Sequence, residues 1–159
     1  MTRSLLALAF ALSAFASPAL AVDALRLGEL LGDWQGTGTV ASGTDEPGRI
    51  RCKITLRATA RDTNVVEGRC ATSEGSDVFA LELFEGEAGA VSAENRLSEP
   101  GNLPAALVGT LEPGLLTLKG EGIAALELRR IGDELALSIV SGQAERPGRM
   151  DVTLARVAP

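Results

Sequence analysis

The side chains that could do chemistry in this chain are few. Cys52 and Cys70 are the only cysteines, and the chain has no His and no Tyr. Without His, the Ser-His-Asp and Cys-His nucleophile arrangements are excluded, and the usual imidazole ligand of zinc or haem is missing. Two lone cysteines make a poor metal site. They also lie too far apart for the redox Cys-x-x-Cys motif. A structural disulfide is the reading favoured over both. Carboxylates are plentiful: Glu82, Glu85, Glu87, Glu94, Glu99, Glu112, Glu121, Glu127, Asp133 and Glu134. A pair at suitable separation supports glycosidase-type chemistry, but most of these fall at strand ends or on outward-facing positions, where solvation accounts for them. Thr44-Asp45-Glu46 lacks the alternating ligands of an EF-hand. The expectation is a protein that is not an enzyme and that carries neither metal nor cofactor.

The compartment decides what the cysteines do. Residues 1–21 read as a secretory signal peptide: Arg3, an apolar run from Ser4 to Phe15, Pro18, and the small-x-small site Ala19-Leu20-Ala21. The alternative, an uncleaved anchor, needs an apolar core closer to ~20 residues. No Cys sits at the cleavage point, so a lipoprotein is not expected. Arg far outnumbers Lys, and Ala, Gly and Leu abound, which suits a GC-rich bacterial genome. Residues 22–159 are therefore expected as one periplasmic or secreted domain, where two cysteines oxidise to a disulfide. The net charge of −6 disfavours nucleic acid and anionic lipid as partners, because such binding rests on Lys and Arg neutralising phosphates.

The elements that would position these residues are strands. Asp23 to Gly32 suits one short helix, with Asp23 as N-cap and Gly32 as stop. Ten strands follow at 34–40, 49–59, 63–72, 77–85, 88–97, 105–112, 114–120, 123–130, 133–140 and 149–157, punctuated by Gly, Pro, Asn and Asp. Trp34, Gly36, Gly38 and Val40 alternate with polar residues. So do Ile50, Cys52, Ile54 and Leu56; Leu135, Leu137 and Ile139; and Met150, Val152 and Leu154. Period-two alternation means one buried and one wet face, and strands at this spacing suggest a sandwich or a barrel. A hairpin turning about Arg61 sets Cys52 opposite Cys70, Ile54 opposite Gly68 and Leu56 opposite Val66, all on the inward face. Loops alternate between a tight end and a longer one. The expected architecture is an antiparallel up-and-down β-barrel of about 8–10 strands, with a short N-terminal helix closing one end. At the looser mouth the inward residues would be Val40, Ile50, Phe79, Ile139 and Met150.

Leu31-Gly32-Asp33-Trp34, placed between a short helix and the first strand, resembles the Gly-x-Trp signature of lipocalin-type barrels. That resemblance implies a barrel sealed at its base by an Arg from the last strand lying across the inward Trp. Here Arg156 ends the last strand on the parity of Met150, Val152 and Leu154. The run from Gly32 to Gly38, followed by Arg51-Cys52 and Arg69-Cys70, is also similar to small exported proteobacterial proteins without an assigned activity. A third resemblance is to periplasmic inhibitors of secreted metalloproteases, which are shorter barrels with one disulfide.

Two functions follow as expectations. The first is a periplasmic binding protein for a small, largely apolar molecule, seated on the five mouth residues; core filler is the plain alternative for each of them. The second is a protein-interaction module of the cell envelope, protease-inhibitor-like or an assembly factor, with no ligand cavity. A void of ~300 Å³ or more separates them. A membrane-embedded barrel is not expected, since outward positions include Arg51, Lys53, Arg57, Glu127 and Arg129 and no aromatic girdles are present.

Overall fold

The structure is a computed structural model that describes residues 27–98, 102–141 and 147–158. The signal peptide expected at 1–21 and the first residues of the expected N-terminal helix lie outside the described residues. Within them, the alternating segments form ten antiparallel strands: β1 (Gly32–Ser42), β2 (Gly48–Ala58), β3 (Asn64–Ala71), β4 (Ser76–Glu85), β5 (Ala90–Asn95), β6 (Ala106–Glu112), β7 (Leu115–Gly120), β8 (Ile123–Ile131), β9 (Glu134–Ser141) and β10 (Gly148–Arg156). Each strand pairs with its sequence neighbours, and β1 pairs with β10 to close the barrel. Closure satisfies both edges, which removes the exposed edge strands that an open sheet carries. The alternation translates directly into burial: Ile50, Cys52, Ile54 and Leu56 are buried, while Arg49, Arg51, Lys53 and Arg57 are exposed.

Three places depart from the sequence reading. Of the helix expected over 23–32, the described part is a 3₁₀ turn at Leu27–Leu30, and Gly32 already belongs to β1. The fifth strand begins at Ala90, because Glu87–Gly89 is taken up by a turn in which Ala88 and Gly89 both adopt positive φ. The strand wall also creases. In an ordinary antiparallel pair, Cβ atoms stand up from the sheet about 4.5–5.5 Å apart. A Cβ placed on Gly36 or Gly38 would instead lie 1.8 or 1.9 Å from the carbonyl oxygens of Thr153 and Asp151, and one on Gly109 would lie 1.7 Å from that of Thr117. The sheet therefore folds sharply at β1/β10 and again at β6/β7, half the ring away. Only glycine accommodates so close a backbone approach. These two creases bring β2–β4 and β7–β9 face to face, and their side chains meet in one apolar core.

Candidate functional site

The base of the barrel is assembled from both ends of the described chain. Leu27 and Leu30 are fully buried beneath it. Trp34 points inward from β1, 3% exposed, and its Nε1 donates to the Leu30 carbonyl at 2.9 Å. Gly32 turns the chain from the 3₁₀ turn into β1 with φ of 130°, a conformation that side-chain-bearing residues avoid. Trp34 and Arg156 are directly paired across β1 and β10. The Arg156 guanidinium carbon lies 4.5 Å from the indole centroid, and its Nη1 donates to the Leu31 carbonyl at 2.7 Å. The cation thus seals the ring face and ties the last strand to the residue preceding Gly32.

Above the base, Cys52 and Cys70 are bonded between opposed positions of β2 and β3, with Cα atoms 4.1 Å apart. The register around them pairs Ile54 with Gly68 and Leu56 with Val66. The bridge sits on the wall between base and mouth, at the level of Gly36.

At the mouth, Val40, Met150 and Ile139 occupy one row across β1, β10 and β9, and all three are half-buried. Ile50 lies beside Gly38 and is buried. Phe79 lies on β4 opposite Gly68, half-buried, with its ring in the space a Cβ on Gly68 would take: the nearest ring atom would be 2.2 Å away. Below this rim is a wholly apolar cavity of about 30 Å³, whose lining includes Ile54, Leu81, Leu116, Leu128, Phe79 and Ile139. Phe79 and Ile139 thus connect rim and interior, whereas Val40, Ile50 and Met150 stay above the cavity. A void of that size is an order of magnitude below a ligand site of ~300 Å³ or more. The barrel is packed rather than hollow because the two creases bring its walls together.

One further residue fills the mouth. Leu103, from the segment between β5 and β6, is 9% exposed and lines the same cavity, and its carbonyl accepts from Asn95 Nδ2 at 3.1 Å. A loop residue has no place in a period-two pattern, so the alternation did not select it. Its signal was one Leu within a Pro-, Gly- and Asn-rich stretch.

Nor is Glu82 the solvated carboxylate that its outward position implied. It is 5% exposed on the outer wall of β4. Thr63 Oγ1 donates to Oε1 at 2.7 Å, and Arg96 pairs with Oε2. The Thr63 hydrogen bond, and after it the Arg96 charge, outweigh burial and hold its carboxyl below the usual range. Asp151 is held low in the same way, first by hydrogen bonds from Arg149 and then by Ser138. Among the described residues no group of three or more His, Cys, Asp or Glu is arranged to hold a metal, and no helix is long and apolar enough to cross a membrane.

No family model matches the chain, and no curated protein matches it in sequence. Solved structures match it in fold. The S-type phycobiliprotein lyase CPES from Guillardia theta superposes with a TM-score of 0.61 at 12% identity, over 84% of this chain and 91% of that one. Rv2717c from M. tuberculosis superposes with a TM-score of 0.50 at 16% identity, over 89% of this chain and 99% of that one. The fold is lipocalin-like. Identity this low shows the fold and not the activity. It nevertheless corrects one expectation: a barrel of the same fold is named a lyase. The absence of His-based motifs is therefore no ground for setting enzymes aside.

Proposed function

We propose that this protein binds a small, largely apolar molecule at the open end of its barrel, in the periplasm or outside the cell. The supporting observation is the rim. Val40, Phe79, Ile139 and Met150 are half-buried apolar side chains at one end of an otherwise closed core, and two of them continue into an apolar cavity. The cavity of about 30 Å³ overturns the expectation of a preformed ligand chamber, so binding here is at the rim and requires the rim to open. The ligand takes the place of Phe79 and Leu103, so its affinity carries the cost of moving them. The disulfide supports an oxidising compartment.

The packed interior favours a second reading, an interaction module of the cell envelope that presents its wall or loops to a protein. Native mass spectrometry of the protein purified from its export compartment tests the first reading. A copurifying apolar molecule, released on denaturation, supports it. Bare protein that also takes up no apolar probe overturns it and leaves the second.

A further inference from the structure

A net charge of −6 hides an uneven distribution. The outward positions of β2 are Arg49, Arg51, Lys53, Thr55 and Arg57, and Arg69 on β3 stands opposite Lys53. The outer wall of β4 and β5, by contrast, carries Glu82 paired directly opposite Glu94. Strand parity gathers five basic residues, Arg49, Arg51, Lys53, Arg57 and Arg69, on one flank.

That flank has a shape as well as a charge. A depression of about 690 Å³, open to solvent, lies over the mouth-proximal ends of β1, β2 and β3, lined by Arg49, Arg51, Thr37, Thr39, Thr72 and Ala71, with Gly38 and Ile50 completing its lining. Thr37 is paired with Arg51 and Thr39 with Arg49, so two hydroxyls and two guanidiniums form a two-by-two array on adjacent strands. Residues two apart on a strand are ~6.6–6.8 Å apart, a spacing that lets two long guanidiniums converge on one group. Among the described residues neither Arg49 nor Arg51 has an acidic partner. Asp151, which faces Thr39 across β10, is occupied by Arg149 and Ser138. Arg57, further down the same strand, is neutralised by Glu67 at 2.7 Å. Two guanidiniums with hydroxyl donors in a concavity of ligand size match a tetrahedral oxyanion, which accepts from planar guanidinium donors and hydroxyls together.

We propose that this depression binds a phosphate-type oxyanion through Arg49 and Arg51, with the Thr37 and Thr39 hydroxyls setting its orientation. The four side chains that carry the site are exposed on the outer wall, so the proposal does not rest on an apolar ligand at the mouth. The group belongs to a free multiply charged anion or to the headgroup of a larger molecule.

Calorimetric titration with inorganic pyrophosphate tests this. The variants are Arg49→Gln/Arg51→Gln, Thr37→Val/Thr39→Val, and Lys119→Gln on β7 across the barrel as a control for loss of one positive charge away from the site. All five positions are exposed, and unchanged far-ultraviolet circular dichroism and melting temperature confirm folding. We expect saturable binding by the wild type, a loss of about 100-fold in the double Arg variant and about 10-fold in the double Thr variant, and less than 2-fold change in Lys119→Gln. No binding by the wild type, or equal losses in Lys119→Gln and the double Arg variant, overturns the proposal. An unchanged double Thr variant does the same, because attraction without orientation is not a site. Sedimentation with vesicles containing one-third anionic phospholipid separates the sources. Co-sedimentation that requires Arg49 and Arg51 assigns a headgroup, and pyrophosphate binding without it assigns a free anion.

Discussion

Alanine substitution at two glycines distinguishes a fixed wall from a movable gate. At Gly36 the new methyl would lie 1.8 Å from the Thr153 carbonyl oxygen and 2.9 Å from the Leu154 Cα, both backbone. At Gly68 it would lie 2.2 Å from the ring edge of Phe79. Absent any obstacle, Gly→Ala in a strand stabilises by about 0.4–1 kcal/mol through the unfolded chain. Gly36→Ala must instead separate β1 from β10 along the seam that closes the barrel, so overpacking of about 3 kcal/mol or more outweighs that gain. Gly68→Ala needs only a rotation of a half-buried ring toward the mouth, a loss of about 1 kcal/mol as the ring leaves its seat. Urea unfolding followed by circular dichroism at constant m-value reads both. The expected order is wild type, then Gly68→Ala slightly below it, then Gly36→Ala far below. A Gly36→Ala protein within about 0.5 kcal/mol of wild type would refute the crease.

Three further outcomes follow from the same geometry. The Cys52–Cys70 bridge spans a sequence separation of 18, which in the chain-entropy account contributes about 3 kcal/mol, so Cys52→Ala/Cys70→Ala lowers the melting temperature by roughly 10 °C; an unchanged value contradicts the cross-strand bridge. Arg156→Gln loses both the stacking on Trp34 and the hydrogen bond to Leu31, about 1–3 kcal/mol together. Trp34 is the only Trp, so a shift of its emission to longer wavelength reports the opened base, and unaltered emission would count against the seal. Glu82 and Asp151 both have folded-state pKa values below their unfolded ones, so the stability they confer is complete above the unfolded value and is lost as pH falls through the folded one. Stability therefore declines from about pH 4 downward. Glu82→Gln/Asp151→Asn is less stable at neutral pH with a shallower acid limb, and an identical acid limb in guanidinium titrations would show that neither carboxylate is coupled to folding.

Much of the framework was legible because it repeats every two residues. Trp34, Cys52, Cys70, Leu137 and Val152 lie inward as their parity requires, and the two cysteines fixed the β2–β3 register independently of hydrophobicity. Ten strands emerged near their expected bounds for the same reason. Features created by closure through space were not legible. Gly36 and Gly38 read as small residues alternating with polar ones, and nothing in the alternation says that a neighbouring backbone will fold against them, or against Gly109, and collapse the interior. Leu103 enters the core from a loop. Glu82 has outward parity but is covered by Thr63 and by Arg96, a residue beyond the end of β5. The charge segregation along β2 was visible in the alternation of Arg49, Arg51 and Lys53, but the whole-chain balance averaged it away.

Titration with the neutral fluorophore N-phenyl-1-naphthylamine tests most directly whether an apolar ligand enters over the rim by displacing Phe79. The wild type should bind weakly, and Gly68→Ala, with the ring already moved aside, should bind about 5- to 10-fold more tightly because a larger fraction of molecules is open. Val40→Asp/Met150→Asp should abolish binding while leaving the core packed. Absence of binding in both wild type and Gly68→Ala, or binding unaffected by charges at the rim, would contradict that route.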